Sequence, residues 1–218
     1  GRYEDLGALG AGGMGSVRRV RDVVLNRPMA MKTLHPELLE NAEVVARFVA
    51  EAQATAQLQH PGIVPVHELG RLDDGRPYFT MQEVRGRTLG AVIASVHAAS
   101  GDTWAAAPDG WSFRRLIDAF HRVCEAVAYA HDRGVIHRDI KPENVMVGEH
   151  GEVLVVDWGL AKVVGAEAGG EGLVVTGRWQ DDSFATRMGQ VAGTPAYMPP
   201  EQARGDIGAL DRQIGRAH

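Results

Sequence analysis

The chain of 218 residues contains a single cysteine, Cys124. One cysteine can form neither an internal disulfide nor a zinc site built from cysteines. The nine histidines are scattered along the chain without the spacing of metal ligands. The sequence therefore excludes the disulfide-stapled and zinc-stabilised classes of small domain, and its stability has to come from an apolar core.

Positive charge is also scarce. Lysine and arginine number 23 against 28 aspartate and glutamate residues, which gives a net charge of −5. An acidic chain with no basic run, in which only 6% of the residues are aromatic, lacks the surface that nucleic acids need. We therefore expect no nucleic-acid partner.

Long apolar runs are missing as well. No stretch is long enough to span a bilayer, and no signal-peptide pattern is present. We expect no membrane segment in this chain and a cytoplasmic location, although the full-length protein could be membrane-anchored. The residues are 44% hydrophobic, which over this length is enough for a sizeable core in one domain or two lobes.

One motif carries most of the chemistry. The string His137-Arg138-Asp139-Ile140-Lys141-Pro142-Glu143-Asn144 is followed downstream by Asp157-Trp158-Gly159. Asn144 and Asp157 offer hard oxygen ligands for Mg²⁺, Asp139 can accept the proton of a hydroxyl, and Lys141 can neutralise a moving phosphate. A lone His-Arg-Asp would usually be only a buried polar turn between two strands. The complete string, with its downstream acid, favours phosphoryl transfer.

These residues resemble the catalytic loop and metal-binding motif of the protein kinases, and Lys141-Pro142-Glu143 is similar to the serine/threonine branch. The resemblance implies ATP as the phosphate donor, Mg²⁺ (or Mn²⁺) as the metal, and protein substrates with Ser or Thr hydroxyls. Trp158 stands where the family usually has phenylalanine. We expect that change to alter the inactive state more than the chemistry.

A glycine-rich stretch precedes a β-prone region at Val17–Val24. Glycines allow backbone N–H groups to approach phosphates closely. Alone, this pattern would equally suit a dinucleotide-binding turn or a flexible loop. A dinucleotide-binding turn needs a helix directly after the glycines, but the sequence here predicts a strand. The next residue that could contact a phosphate is Lys32. The resemblance implies that Lys32 holds the α- and β-phosphates under a loop made of Gly10, Gly12, Gly13 and Gly15.

Apolar residues recur near the helical period from Glu40 to Leu58, which predicts a helix. The resemblance makes Glu51 the ion-pair partner of Lys32, although most glutamates on such a helix are simply solvated. Tyr78–Val84 reads as a strand that runs into a connector, and the resemblance makes Met81 within it the gatekeeper. The remaining predicted ATP contacts are main-chain groups of Gln82 and Val84, and three apolar side chains that would otherwise be plain core: Val17, Ala30 and Met146.

The stretch from Gly165 to Gly189 is glycine-rich and weakly patterned, and it resembles an activation loop. Arg138 could bind a phosphorylated residue there. The candidates for autophosphorylation are Thr186 first, and then Ser183 and Thr176. Thr194 stands in the segment that resembles the substrate-side anchor, and we expect it to bond Asp139 and Lys141 instead.

The predicted fold is α+β, the two-lobe protein kinase fold. Residues 1–83 form a β-rich N-lobe with one main helix, and residues 84–212 form a partial helical C-lobe with the catalytic loop and activation segment. A long helix spans Phe113–His131 and places Cys124 in the core, while Ser95–Trp111 resembles a surface insertion. Residues 213–218 do not resemble the family and read as a non-native tail.

The best-supported function is a bacterial, eukaryotic-type serine/threonine protein kinase, because the glycine loop and Pro200-Glu201-Gln202-Ala203 resemble that branch. Two alternatives are a pseudokinase acting as a scaffold and a small-molecule phosphotransferase of kinase-like fold. A pseudokinase would have lost a catalytic residue, and none is lost. A small-molecule phosphotransferase would not normally carry the Gly193–Glu201 segment. We expect this fragment to be inactive alone, because further C-lobe helices should follow Glu201.

Overall fold

The computed structural model describes residues 1–163 and 193–206. The chain divides into two compact units. The first comprises Gly1–Gln59 and Val64–Val84, and the second comprises His60–Ile63 and the chain from Arg85 onward. The predicted lobe boundary at residue 83 lies beside the end of the first unit, whereas His60–Ile63 groups with the second.

The first unit is a five-stranded sheet with one long helix. All its strand pairings are antiparallel, and the strand order is β1-β2-β3-β5-β4. The strands are β1 (Tyr3–Ala11), β2 (Gly15–Asp22), β3 (Arg27–Leu34), β4 (Val66–Arg71) and β5 (Pro77–Met81).

Side chains alternate between the two faces of this sheet, because strand periodicity is two. One face buries a cluster formed by Val20, Met29, Met31 and Tyr78. The other face buries Leu34 and Phe79 against Phe48 and Ala52 of helix α1 (Ala42–Gln57). The sheet therefore has a helix-covered face, and Lys32 lies on that face beside Phe79, its partner in the β3–β5 register.

Helix α1 begins at a cap that its own sequence supplies. The side chain of Asn41 accepts hydrogen bonds from the backbone N–H groups of Glu43 and Val44. An Asn at this position satisfies two of the donors that a helix start leaves open. The helix therefore begins two residues later than the apolar pattern predicts.

The second unit contains the other α-helices of the described residues. Its helices are α2 (Leu89–Ala99), α3 (Phe113–Asp132) and the short α4 (Pro200–Ala203). Its strands are β6 (Gly86–Thr88), β7 (Val135–Ile136), β8 (Val145–Gly148), β9 (Val153–Val155) and β10 (Lys162–Val163). They form an antiparallel sheet in the order β6-β8-β9 and a β7–β10 pair. In the part of the chain that the structure describes, no helix is both long and apolar enough to cross a membrane.

The prediction that Cys124 packs in the core is wrong, because its side chain is exposed. The buried stripe of α3 consists of Ala119, Val123, Ala126, Val127, Ala130 and His131. Successive helical residues differ by about 100° around the axis, so Cys124 lies at the edge of this stripe, next to the direction of His131 and not at its centre. Phe113, Ile117 and Phe120 are exposed on α3 as well.

The expected surface insertion at Ser95–Trp111 is partly helical, because α2 continues to Ala99. Ser100 ends the helix, and its hydroxyl donates to the carbonyl oxygen of Val96. Beyond it, Trp104 stacks on Phe113 with ring centroids 4.5 Å apart.

Candidate active site

Lys32 and Glu51 form an ion pair inside the first unit. Lys32 Nζ on β3 lies 2.6 Å from Glu51 Oε1 on α1, and the two side chains are only 13% and 4% exposed. Removing two charges from water is costly unless they compensate each other. The predicted contact is present. Its role in holding phosphates stays a prediction.

The glycines between β1 and β2 are required for different reasons. A Cβ at Gly15 would overlap the carbonyl oxygen of Thr33, so β2 and β3 could not pair as they do. A Cβ at Gly10, Gly12 or Gly13 would meet no atom within 4 Å. Among these four glycines, packing within the described residues therefore requires only Gly15, and the predicted role of the other three in approaching phosphates stays a prediction.

The connector that follows β5, residues 82–84, begins beside Met81, which packs on the Phe79 cluster. The N–H of Gln82 donates to the carbonyl oxygen of Pro65 at 3.1 Å. A ligand that met the main chain of Gln82 would therefore use its carbonyl oxygen. Ala30 on β3 is buried and lies opposite Met81, and Val17 on β2 is half-buried and lies opposite Lys32.

In the second unit, His137 supports the catalytic loop. Its ring is buried, Nδ1 accepts the backbone N–H of Asp139 at 3.2 Å, and Nε2 lies 3.0 Å from the carbonyl oxygen of Val156. This pairing places the ring proton on Nε2, because Nδ1 is already an acceptor. Burial lowers the pKa of His137, which keeps the ring neutral.

Asp139 lies at the centre of a hydrogen-bonded network. The N–H and O–H of Thr194 each donate to Asp139 Oδ1 at 2.9 Å. Asp139 Oδ2 lies 3.0 Å from Lys141 Nζ and accepts from Asn144 Nδ2 at 3.1 Å. Lys141 Nζ also donates to Thr194 Oγ1 at 2.7 Å. The expectation that Thr194 bonds Asp139 and Lys141 is confirmed.

This network decides the charge state of Asp139. Burial on its own would raise the pKa of the carboxyl, but the hydrogen bonds from Lys141 and Thr194 and the positive charge of Lys141 outweigh it. The pKa of Asp139 is therefore lowered, and the group is a carboxylate at neutral pH. An ionised, positioned carboxylate can accept a hydrogen bond from an incoming hydroxyl.

The two predicted metal ligands have suitable chemistry. Asn144 is buried and donates its Nδ2 to the main-chain carbonyl and the carboxylate of Asp139, which leaves its amide oxygen as the atom it could offer to a cation. The side chain of Asp157 is exposed, and its backbone takes an unusual positive φ of 61°. An amide oxygen and a carboxylate suit Mg²⁺, which takes its other ligands from water and phosphates. In the described residues no cluster of three or more His, Cys, Asp or Glu side chains could hold a metal.

The residues that flank these groups are held in place by hydrogen bonds and by ring packing. Arg138 has a φ of 68°, and its guanidinium donates to the carbonyl oxygen of Leu160. Gln202 Nε2 donates to the main-chain carbonyl of Arg138 at 2.7 Å. Trp158 is 1% exposed, and its ring lies 4.6 Å from that of His137. No sequence pattern predicts this contact of Gln202, because a buried amide in a polar segment has no periodic signal.

The remaining predicted site residues are the three phosphorylation candidates and Met146. Thr176, Ser183 and Thr186 lie outside the described residues. Met146 lies in β8 of the second unit, paired with Thr88 and Leu154, and its side chain is half-buried. Its predicted contact with adenine stays a prediction.

The motifs stand in the order that resembles the protein kinases. Residues 3–208 match the model of the protein kinase domain. The chain belongs to the protein kinase domain family, and the predicted α+β kinase fold is confirmed.

The chain is similar to bacterial serine/threonine kinases. It is 39% identical over 215 residues to the serine/threonine-protein kinase PknD of Protochlamydia amoebophila (strain UWE25), a match that covers 97% of this chain. It is 35% identical over 207 residues to PknD of Chlamydia pneumoniae and 37% identical over 210 residues to PknD of Chlamydia felis (strain Fe/C-56), and each match covers 94% of this chain. The chain spans only 22% of the length of these relatives.

Proposed function

We propose that the protein containing this chain is a serine/threonine protein kinase that transfers the γ-phosphoryl group of ATP to hydroxyls of proteins, in bacterial signalling. The observation that carries the proposal is the network in which Lys141, Asn144 and Thr194 hold the carboxylate of Asp139. Asp139 and Lys141 face one another at 3.0 Å, the arrangement that a base and a phosphate-neutralising cation need.

Each residue has a separate part in the reaction. Lys32, held by Glu51, binds the α- and β-phosphates under the glycine loop, and Asn144 and Asp157 hold Mg²⁺. The bound metal neutralises phosphate charge. Asp139 orients the acceptor hydroxyl and takes its proton, while Lys141 stabilises negative charge on the transferring group. Most of the rate comes from positioning and fixed charge, since the phosphoryl group needs little covalent assistance.

Adenine binds to the carbonyl of Gln82 and to main-chain groups of Val84 in this proposal, beside the gatekeeper Met81. Val17, Ala30 and Met146 enclose the ring. Because ATP is the donor, the kinase domain works in the cytoplasm, and Mn²⁺ could substitute for Mg²⁺ at the same oxygen ligands.

The test is a transfer assay on the complete protein with radiolabelled ATP and serine, threonine and tyrosine peptides. We expect label on Ser or Thr, and Lys32→Met and Asp139→Ala should each lower kcat by at least about 100-fold while circular dichroism stays unchanged. Full activity in either folded variant would show that its assigned role is wrong. Nucleotide binding without any transfer by the wild type would favour the pseudokinase alternative.

Regulation by autophosphorylation is part of the proposal, with Arg138 as the basic partner of a phosphorylated loop residue. Mass spectrometry of the ATP-treated active protein should find phosphate on Thr186, or otherwise on Ser183 or Thr176. If all three residues are unmodified in an active protein, this part of the proposal is wrong.

A further inference from the structure

An ion pair joins strand β2 to the connector. Arg19 Nε donates to Glu83 Oε1 at 2.8 Å, and Arg19 Nη2 donates to the same oxygen. The Glu83 side chain is only 5% exposed, whereas that of Arg19 is 39% exposed. Both residues belong to the first unit.

Strand register places this pair beside the residues assigned to adenine. Arg19 is opposite Ala30 in the β2–β3 pairing, and Ala30 is opposite Met81 in the β3–β5 pairing. Val17 and Arg19 are two residues apart on β2, so their side chains leave the same face of the sheet. Arg19 therefore lies on the face that carries Val17, Ala30 and Met81.

Two neighbouring ion pairs differ from the Arg19–Glu83 pair in the exposure of their carboxylates. Arg18 pairs with Asp5, and Arg21 pairs with Glu4, both across the β1–β2 hairpin. In those pairs both partners are at least 42% exposed, so water screens the charges and the pairs contribute little. The carboxylate of Glu83 is buried, and a buried charge that loses its cation is costly.

The connector is thus held by two anchors. The N–H of Gln82 is bonded to Pro65, and the next side chain, Glu83, is bonded to Arg19. Loss of the guanidinium would favour movement of the Glu83 carboxylate toward water, and the adjoining peptides of Gln82 and Val84 would move with it.

We propose that the Arg19–Glu83 ion pair is a positioning device that fixes the connector for main-chain recognition of adenine and so sets the affinity for ATP. This inference rests on the proposed function, which assigns adenine to Gln82 and Val84. Arg19 and Glu83 act through the main chain of the connector and not by touching the reacting groups.

The experiment measures MgATP binding by calorimetry, and the KM for ATP, kcat and the KM for peptide, on the complete protein. In Arg19→Met we expect the Kd and KM for ATP to rise about tenfold, with kcat and the peptide KM within about twofold of wild type. Glu83→Gln should raise the KM for ATP in the same direction. The matched control is Arg18→Met, which removes the neighbouring exposed pair and should leave every constant unchanged.

A double variant separates positioning from direct contact. If the pair acts as a unit, Arg19→Met combined with Glu83→Gln should bind ATP no more weakly than Arg19→Met alone. Additive losses, or a loss in Arg19→Met without one in Glu83→Gln, would show that Arg19 contacts the nucleotide itself, and the positioning role would be wrong. Should Arg19→Met fail to fold, Arg19→Lys and Glu83→Gln provide the same comparison.

The outcome also distinguishes this inference from the proposed function. Wild-type transfer to Ser or Thr, together with an unchanged ATP affinity in Arg19→Met, would overturn the inference alone. An absence of wild-type transfer would contradict the proposed function, while the calorimetric comparison would still decide the role of Arg19.

Discussion

At the residue scale, the carboxylate of Asp139 has burial and hydrogen bonding acting in opposite directions. Its pKa is lowered overall, because the bonds from Lys141 and Thr194 outweigh desolvation. The contribution of the Asp139 carboxylate to the stability of the folded protein is complete above the ordinary carboxyl pKa of about 3.9. It is lost as the pH falls through the lowered pKa of the folded state. Asp139 should therefore be ionised at neutral pH and become protonated only as the pH falls below the ordinary carboxyl range.

Thr194→Val tests this balance. The variant loses the hydroxyl donor to Asp139 Oδ1 but keeps the backbone N–H, so the pKa of Asp139 should rise and the acid limb of the kcat/KM profile should move to higher pH. We expect a loss of activity of about tenfold at neutral pH, the size of one hydrogen bond to a charged group. Thr194→Ser retains a hydroxyl and is the matched control. A profile of Thr194→Val that superimposes on wild type would contradict the role of this hydroxyl.

At the element scale, the strand ends show where sequence patterns lose accuracy. The β-prone region predicted a strand to Val24, but β2 ends at Asp22, whose buried carboxylate accepts the N–H groups of Val24 and Leu25 and turns the chain. Within Tyr78–Val84, which was predicted to be a strand running into a connector, the strand ends at Met81, because the N–H of Gln82 bonds to the carbonyl oxygen of Pro65 outside the β-ladder. Hydrophobic pattern locates an element, and a local side-chain or main-chain bond decides its last residue.

The candidate site was more predictable than the core of the second unit. Motif spacing alone pointed to Asp139, Lys141 and Asn144, because these residues lie close together in the sequence and form one recognisable motif. Helical spacing also located α3 but could not separate the buried stripe from Cys124 one residue away. The Arg19–Glu83 pair joins residues 64 positions apart, and no local pattern in one sequence reports such a contact.

The glycine loop gives a prediction for a whole element. Gly15→Ala should destabilise the first unit by about 1–3 kcal/mol or more, because its Cβ would overlap Thr33 in the β2–β3 ladder. Gly12→Ala, whose Cβ would meet no described atom within 4 Å, should leave the unfolding free energy within about 1 kcal/mol of wild type but raise the KM for ATP. Urea titrations and ATP kinetics on both variants provide the comparison. Equal KM values for ATP in Gly12→Ala and wild type would mean that Gly12 is not needed for nucleotide binding.

At the scale of the whole molecule, the proposed function makes MgATP a ligand of the folded protein. A ligand that binds only the folded protein raises its stability, by about 2.7 kcal/mol at a concentration one hundred times its Kd. MgATP should therefore raise the Tm of the wild type, and chelation of the metal with EDTA should remove most of that increase.

Variants of Lys32 and Asp157 test their proposed roles in binding MgATP. Lys32→Met and Asp157→Asn should each reduce the MgATP-dependent rise in Tm, because each variant removes a charge that the proposed function assigns to the phosphates or to their metal. Arg18→Met, whose exposed ion pair with Asp5 has no assigned role, controls for the loss of a positive charge. A full MgATP-dependent Tm increase in either folded variant would mean that its residue does not take part in binding the nucleotide.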